Sequence, residues 1–441
     1  MTTAAKSLPV ILPSDTGQRF SCRSCTRCCR DLVVDLTEGD RRRIDAGRWN
    51  LKLDAAPYVR LRGRWVLNKD PQGRCVFLAA DGLCRIHTDQ GFNAKPLACR
   101  LFPFTLAPAG RSARAGWRFD CPTVARSDGA PVTAEKGSLG RLARELLEGR
   151  RSGPDEVQLK PGLAARPGEV SHLIGVLDRW MGDSRRPPTD RLRGAISLTA
   201  TLIDAQLDAV REDRFVELVD LLGLALPSEI AANVIPPPSP RQASMLRQLA
   251  FAHTGHVRFE DMRAGLWRKL ILRRTHLRVG RRFRRGRGSV PPVSGDPVDP
   301  VTFADVDRVR PDDGPSDGLH ECVVRYLRSS LATRSCFGPS YYGWAVLDGL
   351  AALWMRVAVV GWWARYFAAV RHVPSFGLEE LVRALGVVDA GAGRIPVLGS
   401  NVERLRLRFL QSNQGIASLV DRYLPWPAGQ ACPNTASDPR P

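Results

Sequence analysis

The spacing of apolar residues changes near residue 134. Downstream of it, apolar side chains recur at the three- and four-residue intervals of amphipathic helices, which predicts a mainly helical region. The predicted helices cover residues 139–147, 170–181, 191–210, 215–224, 319–370, 378–385 and 401–423, with one more beginning near Arg241. A proline-rich break at residues 235–240 separates that last helix from the helices before it.

Upstream of that point the pattern is a mixture of short segments. Thr37, with an acidic residue three positions later, predicts the start of a short helix that ends near Gly47. The Asp81-Gly82 pair predicts a hairpin turn that leads into residues 84–87. The predicted strands are residues 65–68 and 75–78, which face each other across a turn, and residues 104–106 and 117–119.

Together these patterns predict an α+β fold, in which a small irregular domain with short β-hairpins and a helix precedes a mainly α-helical C-terminal region. Residues 290–318 are rich in proline, glycine and aspartate, which predicts a mobile linker. The predicted segments are an N-terminal tail (1–18), the small domain (19–130), a helical region with a basic C-terminal end (131–288), the linker (289–318), a helical domain (319–424) and a disordered tail (425–441).

A large excess of positive charge adds a class of partner to this picture. The 441 residues include 65 lysines and arginines against 45 aspartates and glutamates, a formal net charge of +20. Residues 263–287 alone hold ten arginines and one lysine. Such a surplus predicts an anionic partner. We interpret residues 263–287 as a solvated basic helix that runs into the linker, and we do not expect nucleic acid to be the partner.

Two features bear on localisation. The first 18 residues contain one lysine and no apolar stretch typical of a secretion signal, which predicts a cytoplasmic protein. The longest apolar stretch, residues 341–370, is interrupted by Asp348, Arg356 and Arg365. It therefore predicts a buried helix and no transmembrane segment.

The cysteines are concentrated at one end of the chain. Eight of the eleven lie between residues 22 and 121. Because a reducing cytoplasm disfavours disulfides, this cluster predicts metal binding or redox chemistry. Cys22, Cys25 and Cys28 have the spacing of a bacterial ferredoxin run, in which a remote cysteine followed by proline supplies a further ligand. Cys121, followed by Pro122, has that form.

The adjacent pair Cys28 and Cys29 leaves two geometries open. In a helix, Cys22, Cys25 and Cys29 would share a face, whereas in a ferredoxin-like loop Cys28 would be the ligand. Eight thiols also exceed the four that one tetrahedral site uses, so a second site, a larger cluster or spectator thiols are all compatible with the sequence. His87 could replace a sulfur, but a lone histidine beside a hairpin more often lies on the surface.

Four blocks of sequence occur in order along this region. They are FSCRSCTRCC at residues 20–29, CVFL at 75–78, DGLCRIH at 81–87 and KPLACRLFPF at 95–104. Over residues 20–125 the chain thus resembles the YkgJ-type cysteine-cluster proteins, which have a CxxCxxCC domain that chelates zinc or iron. The resemblance implies a metal site formed by Cys22, Cys25, Cys28, Cys29, Cys75, Cys84 and Cys99. We add Cys121 because it lies nearby and precedes proline.

Arg100 follows Cys99 in the last of these blocks. We predict that it binds an anionic substrate beside the metal or donates hydrogen bonds to cluster sulfurs. The alternative is an ordinary buried ion pair.

The long helical region more loosely resembles flagellin lysine N-methylases, which belong to the same superfamily. That resemblance implies a 4Fe–4S cluster and a protein substrate, with S-adenosylmethionine as a further cofactor. The sequence has no familiar phosphate loop, Rossmann fingerprint or radical-adenosylmethionine cysteine run, so no motif supports that cofactor.

We therefore predict a metalloprotein that binds an iron–sulfur cluster and acts in redox or protein-modifying chemistry. Iron–sulfur is favoured over zinc because eight thiols and the ferredoxin-like spacing exceed the needs of a structural zinc site. The alternative is a non-catalytic zinc protein whose basic surface binds an anionic partner or nucleic acid.

Overall fold

The computed structural model describes residues 8–13, 17–147, 157–256, 258–292, 300–312 and 317–425. Much of the predicted N-terminal tail, the predicted tail after residue 425 and Cys432 lie outside these residues. The elements up to residue 131 are β1 (Val10–Ile11), β2 (Arg19–Phe20), α1 (Arg27–Asp31), α2 (Glu38–Ala46), β3 (Tyr58–Leu61), β4 (Arg64–Leu67), α3 (Arg85–Gln90), α4 (Leu97–Leu101), β5 (Phe104–Ala109), β6 (Ser112–Trp117), α5 (Pro122–Arg126) and β7 (Ala130–Pro131).

The region that follows is largely helical. Its elements are α6 (Lys136–Leu147), β8 (Gln158–Lys160), β9 (Leu163–Ala164), α7 (Glu169–Gly182), α8 (Pro188–Asp204), α9 (Asp213–Ala232), α10 (Pro240–Ala252), α11 (Phe259–Arg263), α12 (Leu266–Arg285), α13 (Phe303–Arg308), β10 (Arg310–Pro311), α14 (Asp317–Ala332), α15 (Val346–Val370), β11 (Ser375–Phe376), α16 (Leu378–Gly391), α17 (Asn401–Gln411) and α18 (Gly415–Tyr423). Each predicted helical segment contains an observed helix, and the predicted α+β class is confirmed.

Local capping chemistry sets the position of α2. The Thr37 hydroxyl accepts a hydrogen bond from the backbone N–H of Asp40 at 3.1 Å, and the Asp40 carboxylate accepts one from the backbone N–H of Thr37 at 2.9 Å. This reciprocal pair satisfies two backbone donors that a helix start leaves open. The helix ends at Gly47, as predicted.

The predicted pairing of residues 65–68 with residues 75–78 forms only beside the turn, where Lys69 and Cys75 make an isolated antiparallel bridge and the backbone N–H of Val76 donates to the carbonyl of Asn68 at 3.2 Å. β4 pairs instead with β3, the strand immediately before it. Arg62 and Gly63, which join the two strands, both have positive φ, at 50° and 82°. That geometry matches the tight two-residue turn whose twist suits a hairpin, so the local partner wins over the distant one.

The chain around the Asp81-Gly82 turn departs from a hairpin as well. The turn itself forms, with φ of 83° at Gly82. After an isolated bridge between Leu78 and Cys84, however, residues 85–90 form helix α3 and not a strand. The helix buries Ile86 in the core while the residues that follow it stay exposed, a helical pattern too short to recognise from sequence.

Strands form at the last predicted pair of segments, although the second strand lies mostly before the predicted residues. β5 and β6 are antiparallel, with Phe104 opposite Trp117, and β1 adds to β6 in parallel. Phe119, which was expected to continue the second strand, lies beyond its end.

Two hydrophobic cores matter for the cysteines. The small core consists of the buried side chains of Ile44, Trp49, Leu67, Phe77 and Ile86. The large core surrounds α15 and includes residues of β5, β6 and α5 together with those of the C-terminal helices. The end of the cysteine-rich segment therefore packs with the helical region.

α15 lies at the centre of the large core. By length and composition it could cross a membrane, with a mean hydropathy of 1.3, but that whole window is buried inside the protein. Arg356 donates a hydrogen bond to the Tyr326 hydroxyl at 3.0 Å, and Arg365 donates one to the backbone carbonyl of Tyr423 at 3.1 Å. The predicted buried helix is confirmed.

Part of the segment predicted as a linker packs on the large core. α13 begins with a capping box at Thr302 and buries Phe303 and Val306. The backbone N–H of Val290 donates to the carbonyl of Val301 at 2.7 Å. Residues 293–299 and 313–316, also in that segment, are outside the described residues.

Candidate metal centre

Five cysteine thiols from separate segments gather beside the small core, and we call them the thiol group: Cys28, Cys29, Cys75, Cys84 and Cys99. The last three pack directly against the small core. The backbone N–H of Cys75 donates to the carbonyl of Cys29 at 2.9 Å, which ties α1 to the same place. All ten cysteines of the described residues are free thiols.

Short elements hold these thiols in position. Cys28 and Cys29 are neighbours in α1, and their Sγ atoms are 4.0 Å apart. Cys84 is the residue before α3, and Cys99 lies inside α4. Cys75 forms an isolated antiparallel bridge with Lys69 across the turn that follows β4. None of these elements is longer than two helical turns, so a metal bound here would connect pieces that have little structure of their own.

The loop before α1 holds Cys22 and Cys25, both exposed. Ser24 and Thr26 in this loop have left-handed φ angles of 50° and 61°. Such a conformation costs a non-glycine residue about 1–3 kcal/mol and persists where its surroundings determine it. A Cβ placed on Gly82 would lie 3.5 Å from Cγ2 of Thr26, so the turn before α3 lies against this loop.

The other side of the loop contacts the chain that follows α5. The backbone N–H of Ser21 donates to the carbonyl of Asp128 at 3.0 Å. Arg23 forms an ion pair with the Asp128 carboxylate at 2.7 Å. The loop of residues 22–26 therefore lies between the turn before α3 and the end of α5.

Cys121 belongs to the large core and lies apart from the thiol group. Burial raises the pKa of Cys121 to about 11, and the negative charges of Cys25 and Asp120 contribute to the rise. The structure therefore brings Cys121 near Cys25. Cys121, the remote cysteine followed by proline, is thus close to the loop before α1 and packs in the large core, not in the small core.

A half-buried carboxylate of α16 fixes the segment just before Cys121. Oδ2 of Asp389 accepts hydrogen bonds from the backbone N–H groups of Phe119 at 2.8 Å and Asp120 at 3.3 Å. Burial raises the pKa of Asp389, and the nearby charge of Asp120 raises it further. This contact joins the cysteine-rich segment to the C-terminal helices.

Three thiols of the group, Cys28, Cys75 and Cys99, ionise with difficulty because their pKa values are raised. Burial raises the pKa of Cys75 to about 11 and that of Cys99 further. The pKa of Cys28 is raised first by its contact with Cys29 and then by burial. Because thiolates are the form that binds metal, a cation arriving here would displace protons from these groups.

Two lysines that the sequence analysis did not single out lie beside these thiols. The positive charge of the Lys95 ammonium group partly offsets the rise in the pKa of Cys28 and of Cys99. Lys69 is buried and donates a hydrogen bond to the carbonyl of Arg30, and burial lowers its own pKa. Lys95 belongs to one of the sequence blocks that resemble the YkgJ-type family, and that resemblance could have indicated it. Lys69 lies in a turn outside those blocks.

Arg100 and His87 are the two other residues that the sequence indicated as candidates for the site. Arg100 is buried, where its Nη2 contacts Oε1 of Glu145 at 2.5 Å and its Nε donates to the carbonyl of Lys95 at 2.9 Å. This is the buried ion pair considered as the alternative to substrate binding. His87 is exposed and makes an edge contact with Phe92, away from the thiols.

The donor chemistry fits zinc or iron. Across the parts of the chain that the structure describes, no three His, Cys, Asp or Glu side chains are grouped tightly enough to hold a metal ion as they stand. Soft thiolates nevertheless select these metals. Tetrahedral zinc with bonds of about 2.3 Å places its sulfurs roughly 3.8 Å apart. The Cys28 and Cys29 sulfurs, 4.0 Å apart, are close to that spacing.

Comparison with known proteins identifies the class of this domain. Residues 21–122 match the CxxCxxCC family model, whose description is "Putative zinc- or iron-chelating domain". The chain thus has a zinc- or iron-chelating cysteine-cluster domain in its N-terminal part, as the sequence blocks predicted. No curated protein and no solved structure gives a significant match.

Proposed function

We propose that the thiol group binds a 4Fe–4S cluster and that the protein acts in redox or protein-modifying chemistry. The observation that carries this proposal is the convergence of thiols from α1, α4, the start of α3 and the turn after β4 on the small core. A 4Fe–4S cluster is held by four cysteine thiolates, and the thiol group offers five.

The proposed ligands are Cys28, Cys75, Cys84 and Cys99. Of the two thiols on α1, Cys28 is chosen because its negative charge raises the pKa of both Cys75 and Cys99. Cys29 is therefore proposed as the fifth thiol, outside the primary ligand set.

The surroundings suit a charged cluster. When bound, an iron–sulfur cluster supplies one-electron transfer or an open coordination position for group transfer. Trp49 and Phe77, buried in the small core, exclude water on one side. Lys69 and Lys95 offset the negative charge of the thiolates. The exposed loop before α1 leaves a side open to a protein or small-molecule partner.

The metal's identity is tested by purifying the intact protein without oxygen and measuring metal, inorganic sulfide and visible absorption. We expect about four iron and four sulfide per chain with a broad visible band. Stoichiometric zinc without sulfide or colour would overturn the iron–sulfur proposal.

Lysine methylation is the group transfer that the looser family resemblance suggests, and it would need a site for S-adenosylmethionine. A cavity of about 700 Å³ lies between α8, α9, α15 and the segment that joins α17 to α18. Small-molecule sites typically measure about 300–1,000 Å³. Apolar side chains such as Ile196 and Trp354 line it together with Thr199 and Arg408. We propose this cavity as the cofactor site of the methylase.

Titration calorimetry of the holoprotein with S-adenosylmethionine tests that step. We expect one molecule to bind per chain, and Ala200→Trp, which fills part of the cavity, to abolish binding while the protein stays folded. If the unmodified holoprotein does not bind S-adenosylmethionine, the methylation proposal is ruled out and redox chemistry remains as the proposed activity.

A structural zinc site is the second candidate, and the size of the small core favours it. Five buried side chains form that core, fewer than an independent domain needs without a staple. A closed zinc site can supply the missing folding energy. This candidate predicts a colourless protein that keeps stoichiometric zinc and loses structure in the small core on chelation.

A further inference from the structure

The N-terminal half of α12 extends away from the body of the protein. Every residue from 265 to 278 is exposed. Among them, Leu266 and Trp267 are 81% and 82% exposed, and Ile271 is 63% exposed. Large apolar side chains seldom occupy consecutive exposed turns of a helix without a partner.

The C-terminal half of the same helix is firmly anchored. Phe283 is fully buried and stacks on Phe251 with ring centroids 5.1 Å apart. The hydroxyl of Ser244 donates to the carbonyl of Arg284 at 2.7 Å, and Nε of Arg247 donates to the carbonyl of Phe283 at 3.1 Å. α10 thus holds one end of α12 while the other end stays exposed.

The exposed half is amphipathic in a particular way. With 3.6 residues per turn, Leu272 falls on the opposite side of the helix from the other five large apolar side chains, which lie within an arc of about 140° around the helix axis. They are Leu266, Trp267, Leu270, Ile271 and Leu277. Basic side chains occupy the other side of the first two turns, namely Arg268, Lys269 and Arg273, whereas Arg274 and Arg278 fall within the apolar arc. The basic helix expected from the sequence is present, but solvation does not account for its exposed apolar face.

We propose that the first half of α12 binds the surface of an anionic lipid bilayer. Helices with an apolar face that includes tryptophan and a polar face rich in lysine and arginine lie in the plane of the membrane interface. There the apolar side chains of Trp267 and Ile271 enter the acyl boundary, and Arg268 and Lys269 meet lipid phosphates. The formal net charge of +20 strengthens attraction to such a surface.

Nucleic acid fits the same helix less well. Phosphate contacts to a duplex need only the cations, and they leave Leu266, Leu270 and Ile271 in water. A lipid surface uses both faces, which is why the observations favour it.

Cosedimentation of the full-length protein with vesicles tests this proposal. The vesicles contain either phosphatidylcholine alone or phosphatidylcholine with about one third phosphatidylglycerol. We expect binding to the anionic vesicles and at least about tenfold weaker binding to the neutral ones. The triple variant Trp267→Ser/Leu270→Ser/Ile271→Ser and the variant Arg268→Gln/Lys269→Gln/Arg273→Gln should each weaken binding to anionic vesicles by about tenfold or more.

Two matched controls remove similar side chains elsewhere. Leu221→Ser/Leu224→Ser removes two exposed apolar residues of α9, and Arg62→Gln/Arg111→Gln/Arg144→Gln removes three exposed charges. Both should bind vesicles like the unmodified protein. In an independent measurement on the unmodified protein, hydrogen exchange of residues 266–278 should slow when anionic vesicles are added.

Three results would overturn the proposal. One is an unmodified protein that ignores anionic vesicles. Another is a serine triple variant that binds them as tightly as the unmodified protein, because charge alone would then suffice. The third is tighter binding to duplex DNA than to vesicles, lost with the three cations but kept by the serine triple variant, which would identify a nucleic-acid surface.

Discussion

Cys28 and Cys29 are neighbours in α1, and their Sγ atoms are 4.0 Å apart. The negative charge of Cys28 raises the pKa of Cys75 and of Cys99. From the sequence, a helix favoured Cys29 and a loop favoured Cys28 as the ligand. Residues 21–26 are not helical and α1 begins only at Arg27, so Cys22, Cys25 and Cys29 do not share one helical face. We therefore propose Cys28 as the ligand of the pair.

The two substitutions Cys28→Ser and Cys29→Ser should therefore differ. Loss of an outer-shell partner costs a metal site about 10–100-fold in affinity, and Cys28→Ser should cost more than that. Cys29→Ser should change affinity by less than about tenfold. Competition with a chromogenic chelator measures both, and the opposite order would exchange the roles of the two thiols.

His253, at the end of α10, makes stability depend on pH. Burial, followed by the charge of Arg356, lowers its pKa from 6.5 to about 3. The folded protein keeps this imidazole neutral while the unfolded chain takes up a proton below pH 6.5. The stabilisation is thus complete above about pH 6.5 and decreases by about 1.4 kcal/mol per pH unit down to about pH 3.

Substitution by glutamine should remove that contribution. Its amide can still donate to the carbonyl of Val388, which lies 3.2 Å from Nδ1 of His253. Between pH 6.5 and pH 5, the free energy of unfolding of the unmodified protein should fall by about 2 kcal/mol more than that of His253→Gln. Urea unfolding at the two pH values measures this, and equal losses in the two proteins would refute the assignment.

At the scale of elements, turns decide where the thiols meet. Gly82 adopts φ of 83° in the turn before α3, and Gly63 adopts φ of 82° in the β3–β4 hairpin. Only Gly82 lies against the loop that holds Cys22 and Cys25, since no heavy atom lies within 4 Å of a Cβ placed on Gly63.

Alanine at either glycine should cost about 1–2 kcal/mol of stability, because a side chain disfavours left-handed backbone. Gly82→Ala should also weaken metal binding, whereas Gly63→Ala should not. Thermal unfolding and metal titration of both variants distinguish strain from site disruption. Equal metal affinity in the two variants would show that the Gly82 turn does not shape the site.

These elements also show what sequence can predict. The helix start at Thr37 follows from local capping chemistry and was predicted, as was the strand that begins at Phe104. Arg62-Gly63 is a turn signal for the β3–β4 hairpin, but the prediction from sequence paired residues 65–68 with residues 75–78. The approach of Asp389 to Phe119 spans 270 residues, and no local pattern encodes a contact of that kind.

On the scale of the whole molecule, the metal centre lies beside a small core while most of the chain surrounds α15. The large core buries far more apolar surface, so it should remain folded without metal. The small core has few buried side chains and depends on the thiol group for further connections.

Anaerobic chelation should therefore unfold one part of the protein. Hydrogen exchange should accelerate in residues 34–101, around the small core, and remain slow in α15. Mass spectrometry of peptides before and after chelation measures this. Faster exchange throughout, or no change in the small core, would contradict the separation into two cores.

The central claim is that the thiol group holds the metal. The most direct measurement is the metal bound per chain in Cys75→Ser/Cys84→Ser, compared with Cys322→Ala/Cys336→Ala, which removes two buried thiols of the helical region. Both proteins are purified without oxygen and analysed by mass spectrometry for metals. We expect the first variant to lose its metal and the second to keep it. Equal metal in both variants would place the metal elsewhere and contradict the account.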